Sequence, residues 1–538
     1  MNKITKIWLP LLLAIAFVAG MHAESNLISR KFNLLQQNKS VGVGNKLNIL
    51  IKSIVNEYVD TVNIYDIEEK AAISLLDELD PHSTYISADE YAEMNEPLEG
   101  NFDGIGVQFN IQKDTVYVVN VIPGGPSEKV GIRGGDRIVS VNDSVIAGIN
   151  ITNNQVMKLL RGPRGTKVNV GIARRGEQNL VPFTITRGQI PIYSVDVSYM
   201  INNKTGYIKL SKFARTTYKE MLEAIAKLKT QGLQNLILDL RGNGGGYMDA
   251  AINVIDEFLT EGKLIVYTEG AHSKRENYYS SRRHSCSNIK LAVLIDEFSA
   301  SASEITAGAI QDNDRGIIIG RRSFGKGLVQ QPIMFPDNSS ARLTIARYYT
   351  PAGRCIQKPY NHSDEDYYTE IENRYLHGEF MESDSIHIAD STEFFTTGGR
   401  IVYGGGGIMP DVFIPADTAG FSEYYNKINR KGCEYQFCLE FTDKYRTTLS
   451  NFKTPESFVK FLQSVNILEQ FITFADKQGI KRDNKGIKKS GKIIETQIIA
   501  LIARNIIDNN GYYPIIEKID NTLLKSVDII ENKSLNNL

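Results

Sequence analysis

The sequence predicts a multidomain α/β protein in which a mostly β module precedes an α/β core, with helical regions at both ends. Three observations carry this. Short β-rich runs punctuated by glycine extend from about Gly100 to Arg187. From Val195 to about Pro415 strands alternate with amphipathic helices, the pattern of a sheet with parallel strands. Helical apolar spacing marks Asn45 to Asn95 and again Phe421 to Leu538. At 538 residues the chain exceeds the roughly 250–300 residues that one core can serve, so several modules are expected. A composition of 42% hydrophobic and 23% charged residues is globular. Lys+Arg 61 against Asp+Glu 62 leaves a net charge of -1 and no general field to draw nucleic acid.

Taken in order, Lys3 and Lys6 precede an uncharged apolar run from Ile7 to about Gly20, the pattern of an export signal. The run is short for a bilayer span and contains Pro10, so cleavage after Ala23 is favoured over retention as a membrane anchor. Residues 24–99 read as a helical lead-in, 100–187 as the β module, 188–417 as the α/β core and 418–538 as a helical extension. Within the module NNQVMKLLRG is one amphipathic helix. In the core TGYIKLSKF is a strand, YKEMLEAIAKLKTQG a helix closed by Gly232, and NLILDL a buried strand running into the glycine turn RGNGGGY. KLAVLIDEF is the next strand, and SASASEITAGAI starts a helix after it. The four cysteines are too few and too scattered for a disulfide scaffold; Cys433 and Cys438 can pair in an oxidising compartment, and free thiols are an equal expectation. The seven His residues include no HExxH and no zinc-type Cys/His cluster, so no metal and no cofactor are called for.

Chemistry concentrates in three places. Ser301 sits where a strand turns into a helix, and the amides left free at a helix N-terminus can hold a developing oxyanion. A serine there also serves simply as a cap, as Ser299 and Ser303 can, so the turn alone makes no nucleophile. Lys326 lies between Gly325 and Gly327. As a base it must be neutral, which requires burial to bring its pKa from about 10.4 to ~7–8. Gln330, four residues on, can orient the amine or fill a strand position. The glycines of Asp239 to Tyr247 let backbone N–H groups approach a ligand, though they also suit a bare turn. The segment lacks the GKS/T of a phosphate loop.

Together SASASEITAGAIQDNDRGIIIG, SFGKGLVQ, DLRGNGGG and LTIARYYTPAGRCIQ resemble the carboxyl-terminal processing peptidases, or tail-specific proteases. The likeness runs from about Asn45 to Pro415 and includes LDPHSTYIS before the β module and VYGGGGIMPDV after the core. The resemblance implies a PDZ domain ahead of a crotonase-like or ClpP-like protease core. It makes Ser301 the nucleophile, Lys326 the base and Gln330 the support of the lysine. It places the oxyanion hole at the Ala302 amide and a glycine of the turn, Gly245 foremost, although Gly242 and Gly244 stand where relatives often carry Asn and Pro. In the PDZ domain Gly104, Ile105, Gly106 and Val107 match the carboxylate-binding loop, which captures a chain end beside an exposed strand edge.

The expectation is an exported serine endopeptidase of the bacterial periplasm or cell envelope, acting without cofactor on proteins or peptides with free C-termini. Nucleic acid is not expected as a partner. Membrane association through the N-terminal segment and homo-oligomer formation stay open. Two rivals are a catalytically silent PDZ scaffold that binds protein tails and a crotonase-like acyl-CoA enzyme. The first leaves the complete set Ser301, Lys326 and Gln330 unexplained, and the second explains neither export nor the PDZ domain.

Overall fold

A run of strands whose residues are all buried, such as Asn235–Asp239, can form only inside a sheet covered on both faces. That sheet is the centre of the α/β core. Its order follows the chain: β1 (Val195–Met200), β2 (Thr205–Leu210), β3 (Asn235–Asp239), β4 (Lys290–Ile295), β5 (Ile317–Gly320) and β6 (Val412–Phe413). β1 is antiparallel to β2, and every later pair is parallel. Helices α1 (Thr217–Thr230), α2 (Met248–Asp256) and α3 (Ala302–Asp312) cross between the parallel strands. The three carboxyl ends of β2, β3 and β4 are in register, Lys209 beside Asp239 and Asp239 beside Leu294. This places the turn after β3 next to the turn after β4, the edge at which open α/β sheets bind ligands.

A second, antiparallel sheet packs at that edge. It joins Thr84–Ile86, Ser340–Tyr349, Leu264–Glu269 and Glu276–Tyr279 in that order, with Leu328–Met334 also paired to Ser340–Tyr349. The expected helical lead-in therefore also supplies a strand: Thr84–Ile86 pairs with Ser340–Arg342. The β-rich module has sheet order Val107–Gln112, Thr115–Val121, Arg137–Val141, Lys167–Ala173 and Val181–Thr186. The amphipathic helix Asn153–Leu160 closes its core through Val156 and Leu160. A two-stranded link, Asn101–Gly104 with Gly188–Pro191, joins the module to the core at both of its ends.

The computed structural model describes residues 44–283, 285–360, 364–386 and 390–532. The segment 1–23, expected to direct export, lies outside them. Of the described residues, those up to Glu78 form one unit, in which helices Gly44–Glu57 and Ile64–Asp77 are seen, and those from Leu79 on form the other. Among the described residues no helix is long and apolar enough to cross a membrane.

The C-terminal region is helical throughout its described length. Its own core gathers Phe437, Phe441, Phe458, Phe471 and Ile498. Cys433 and Cys438 lie buried on one helix with free thiols. Two anchorages tie this region down. Leu439 packs on Tyr117 and Val119 of the β-rich module, where Arg137 pairs with Asp443 at 3.1 Å. The helix Asn521–Asn532 lays Leu523, Ile529 and Ile530 over Val197, Ile237, Leu294 and Ile319 of the central sheet. At its start Asp520 receives both terminal nitrogens of Arg241, at 3.0 and 2.7 Å.

Candidate active site

The turn after β3 and the turn after β4 are stitched together. Asn243, fully buried, donates from Nδ2 to the Leu210 carbonyl, and its own carbonyl accepts the Ala300 N–H at 3.0 Å and the Ser303 hydroxyl at 2.9 Å. Ser299 donates to the Leu240 carbonyl at 2.9 Å. Ser299 and Ser303 are thus fasteners between turns, and Ser301 between them is left to face a cavity. Glycine is required at two positions here. A Cβ on Gly246 would stand 2.0 Å from the Phe213 carbonyl oxygen, and one on Gly245, at φ +100, would stand 2.8 Å from Ser301 Cβ.

Ser301 itself has φ 57 and ψ -114, a conformation that L side chains rarely adopt and that marks a strained turn at a strand-to-helix corner. Its N–H donates to Glu304 at 2.8 Å. Ala302 opens α3, a helix buried over its whole length, and a first-turn amide has no partner within its own helix. The cavity beside them has a volume of about 760 Å³ and brings Ser301, Ala302, Gly245, Lys326 and Gln330 together. The Gly245 N–H, however, is spent on Asn243 Oδ1 at 2.9 Å, so in this arrangement it does not point at Ser301. Gly244 and Gly246 line the cavity as well.

Lys326 reaches the cavity just before the strand Leu328–Met334. Burial, helped by the positive charge of Arg342, brings its pKa down to about 8. Its ammonium donates to Gln330 Oε1 at 3.2 Å, and Gln330 Nε2 donates onward to the His82 carbonyl at 2.5 Å. That carbonyl is fixed by the turn LDPHST: Asp80 accepts the N–H groups of His82 and Ser83 and the Ser83 hydroxyl, at 2.9, 3.0 and 2.6 Å. Burial and the nearby Lys326 hold His82 at about 4, so its imidazole is neutral near pH 7, 2.7 Å from the Tyr367 hydroxyl. A base with a pKa near 8 is about one-tenth in its useful neutral form at pH 7 and half at pH 8. Activity that depends on neutral Lys326 is therefore expected to rise with a midpoint near pH 8 and level off above it; a flat pH–rate profile from pH 6 to 10 would contradict this.

Sequence reading missed several groups at this site. Glu304 is wholly buried and accepts from the Ser301 and Lys326 N–H groups, both at 2.8 Å, from Gly325 N–H at 2.7 Å and from the Ser323 hydroxyl at 2.6 Å. One carboxylate thus spans the serine turn and the lysine turn. Burial outweighs those four bonds and pushes its pKa up to about 7. The Tyr348 hydroxyl donates to the Lys326 carbonyl. The helix Ala88–Glu99 forms the opposite wall with Tyr91, Asn95 and Leu98, and its Glu99 takes bonds from Arg215 and Tyr247. Only Glu304 carried a sequence signal, as the third residue after Ser301. Among the described residues no group of three or more His, Cys, Asp or Glu is placed to hold a metal ion.

Comparison with known proteins matches residues 204–366 to peptidase family S41 and residues 104–185 to the PDZ domain, while 424–508 match a family of unknown function. The carboxy-terminal-processing protease of Bartonella bacilliformis is 34% identical over 350 residues, 64% of this chain and 80% of that protein. This chain belongs to the carboxy-terminal processing protease family. It is a serine-type peptidase with a PDZ domain ahead of its S41 domain and a helical region after it. A second family member, carboxy-terminal processing protease CtpA of Bacillus subtilis, is 35% identical over 316 residues, 58% of this chain and 66% of its own. Among solved structures, a photosystem II D1 C-terminal processing protease aligns over 70% of this chain and 88% of its own at 26% identity and a TM-score of 0.37.

In this peptidase the PDZ sheet ends in the edge strand Val107–Gln112. Gly104, Ile105 and Gly106 before it are buried, with Gly106 at φ +76. The loop is oriented by its carbonyls: Ile105 O accepts from Ser127 N–H and Gly106 O from Ile122 N–H, both at 3.0 Å.

Proposed function

We propose that this protease cuts exported protein clients with Ser301 as nucleophile and Lys326 as general base, and that its PDZ domain selects clients by their free C-terminal end. The observation that carries the reading is a single cavity holding a strained serine at a helix N-terminus and a lysine whose buried amine has a pKa near 8. Neutral Lys326 takes the Ser301 proton as Oγ attacks the peptide carbonyl. The Ala302 amide at the head of α3 meets the resulting oxyanion, and Gly245 supplies the second donor once its amide leaves Asn243. The protonated amine then gives its proton to the departing amide nitrogen, and water hydrolyses the acyl-enzyme by the same route. Gln330, held by the His82 carbonyl, keeps the amine on station.

Gly104 to Val107 offer amides for a carboxylate, and the edge strand Val107–Gln112 offers a ladder for the residues preceding it. The N-terminal sequence supports delivery to the periplasm or envelope. The test compares one unfolded protein bearing a free or an amidated C-terminus. Amidation removes the charge such amides hold, so it is expected to raise KM roughly tenfold with little change in kcat. Equal kcat/KM for the two forms would show that the PDZ domain does not read chain ends.

A further inference from the structure

Three strands of the antiparallel sheet turn one face to the cavity. Along Leu328–Met334, Leu328, Val329, Gln330 and Pro332 line it, with a bulge between Val329 and Gln330; on the paired strand Ser340 and Arg342 do so, and beyond them Ile86. Arg342 is the cation on this face. It is half-buried, stands opposite Pro332 on one side and Thr84 on the other, and among the described residues its guanidinium makes no hydrogen bond or ion pair. Several other half-buried arginines hold a carboxylate: Arg161 meets Glu96, Arg174 meets Asp136 and Arg321 meets Glu297. A half-buried guanidinium that holds no carboxylate of its own chain is left free to receive one from a ligand. Its positive charge is felt at Lys326, whose pKa it helps burial to lower, and after burial Tyr91 is the group that bears on its own.

We propose that Arg342 is a specificity residue that receives a carboxylate of the bound substrate, selecting an acidic group close to the scissile bond. The inference rests on the reading that Ser301 and Lys326 cut peptide bonds in this cavity. Register sets the distance: Pro332, opposite Arg342, is two residues beyond Gln330, which bonds the Lys326 amine, or roughly 6–7 Å along the strand. The carboxylate therefore belongs to a residue within about two or three positions of the cut. It is either a Glu or Asp side chain or the terminal carboxyl group of a short tail.

Two families of quenched fluorogenic peptides separate these. One scans Glu, Gln and Lys through the three positions on each side of the cut; the other carries a neutral sequence with a free or amidated end. Wild type is expected to favour Glu over Gln at one position by about tenfold or more in kcat/KM, with Lys worst. If instead the free end is favoured to that degree and the internal position is not, the carboxylate Arg342 meets is the chain terminus. Arg342→Met should erase the preference, Arg342→Lys should retain much of it, and Arg342→Glu should invert it toward Lys. The ratio between two peptides is taken on one enzyme, so any common effect on Lys326 cancels. Should Arg342→Met fail to fold, Arg342→Gln takes its place. A wild-type ratio near one at every position and for both ends overturns the proposal, as does a preference that survives loss of the charge. Failure of the underlying reading looks different: then no peptide is cut, or Ser301→Ala cuts as well as wild type.

Discussion

Ser301→Ala is expected to lower the turnover of an unfolded protein by roughly 10⁴- to 10⁶-fold, and Lys326→Ala by a similar factor, with the double variant no worse than either. The reason is that, on the proposed mechanism, a nucleophile and its base act on one proton. Without Lys326 the Ser301 hydroxyl keeps its proton, and without Ser301 the amine has nothing to activate. Lys326→Arg is expected to be as inactive as Lys326→Ala, since a guanidinium stays protonated at any usable pH. Both single variants should fold, because Ser301 contributes its N–H rather than its hydroxyl to the Glu304 network, and Lys326 likewise binds Glu304 through its backbone. Circular dichroism and thermal unfolding check the fold, and single-turnover assays check the rate. Retention of more than about 1% of wild-type activity by Ser301→Ala, together with loss in Ser299→Ala, would move the nucleophile to the wrong serine of the turn.

The second large effect is expected at Glu304. Glu304→Ala removes one carboxylate and strands three N–H groups and a hydroxyl in a buried site, at a cost of about 3–5 kcal/mol. It also releases the serine turn from the lysine turn, so activity should fall by at least 10²-fold even in the fraction that folds. Glu304→Gln preserves the shape but turns an NH₂ toward amide donors, and it should lose more activity than stability. A pH signature accompanies this. The folded carboxyl lies near 7 and above its unfolded value of 4.5, so the native state binds the proton more tightly. Its contribution to stability is present below pH 4.5 and is lost as pH rises through 7, a component that Glu304→Gln cannot show. Denaturant midpoints measured across that range decide the matter; Glu304→Ala with a wild-type midpoint and rate would refute the assignment.

What the sequence made legible was whatever is local along the chain. The Ser301 turn, the Gly325-Lys326-Gly327 turn and the glycine run after β3 each announce themselves within ten residues, since sharp turns demand particular residue types. The parallel strands were equally plain from their continuous apolar runs. The antiparallel sheet beside the cavity was not, because Thr84–Ile86 and Ser340–Arg342 pair across some 250 residues, and nothing in either segment names its partner. The same holds for the role of His82, which acts through its backbone carbonyl, so its side chain gives no hint of the bond it makes to Gln330. Arg342 is ordinary in a strand that alternates polar and apolar residues; only register brings it to the cavity. The amide of Gly245 shows the opposite limit: the sequence places the glycine beside Ser301, but whether its N–H points inward depends on the Asn243 side chain.

The cover over the central sheet has a bearing on how the chain is made. One face of that sheet, with Val197, Ile237, Leu294 and Ile319, is roofed by Leu523, Ile529 and Ile530. Those residues follow β6 by roughly 110 positions, so an interval separates completion of the sheet from arrival of its roof as the chain emerges. For that interval the nascent protease presents an unroofed aliphatic surface, of the kind that recruits holding chaperones or nucleates aggregates. The last helix therefore sets when the newborn chain stops being a client itself.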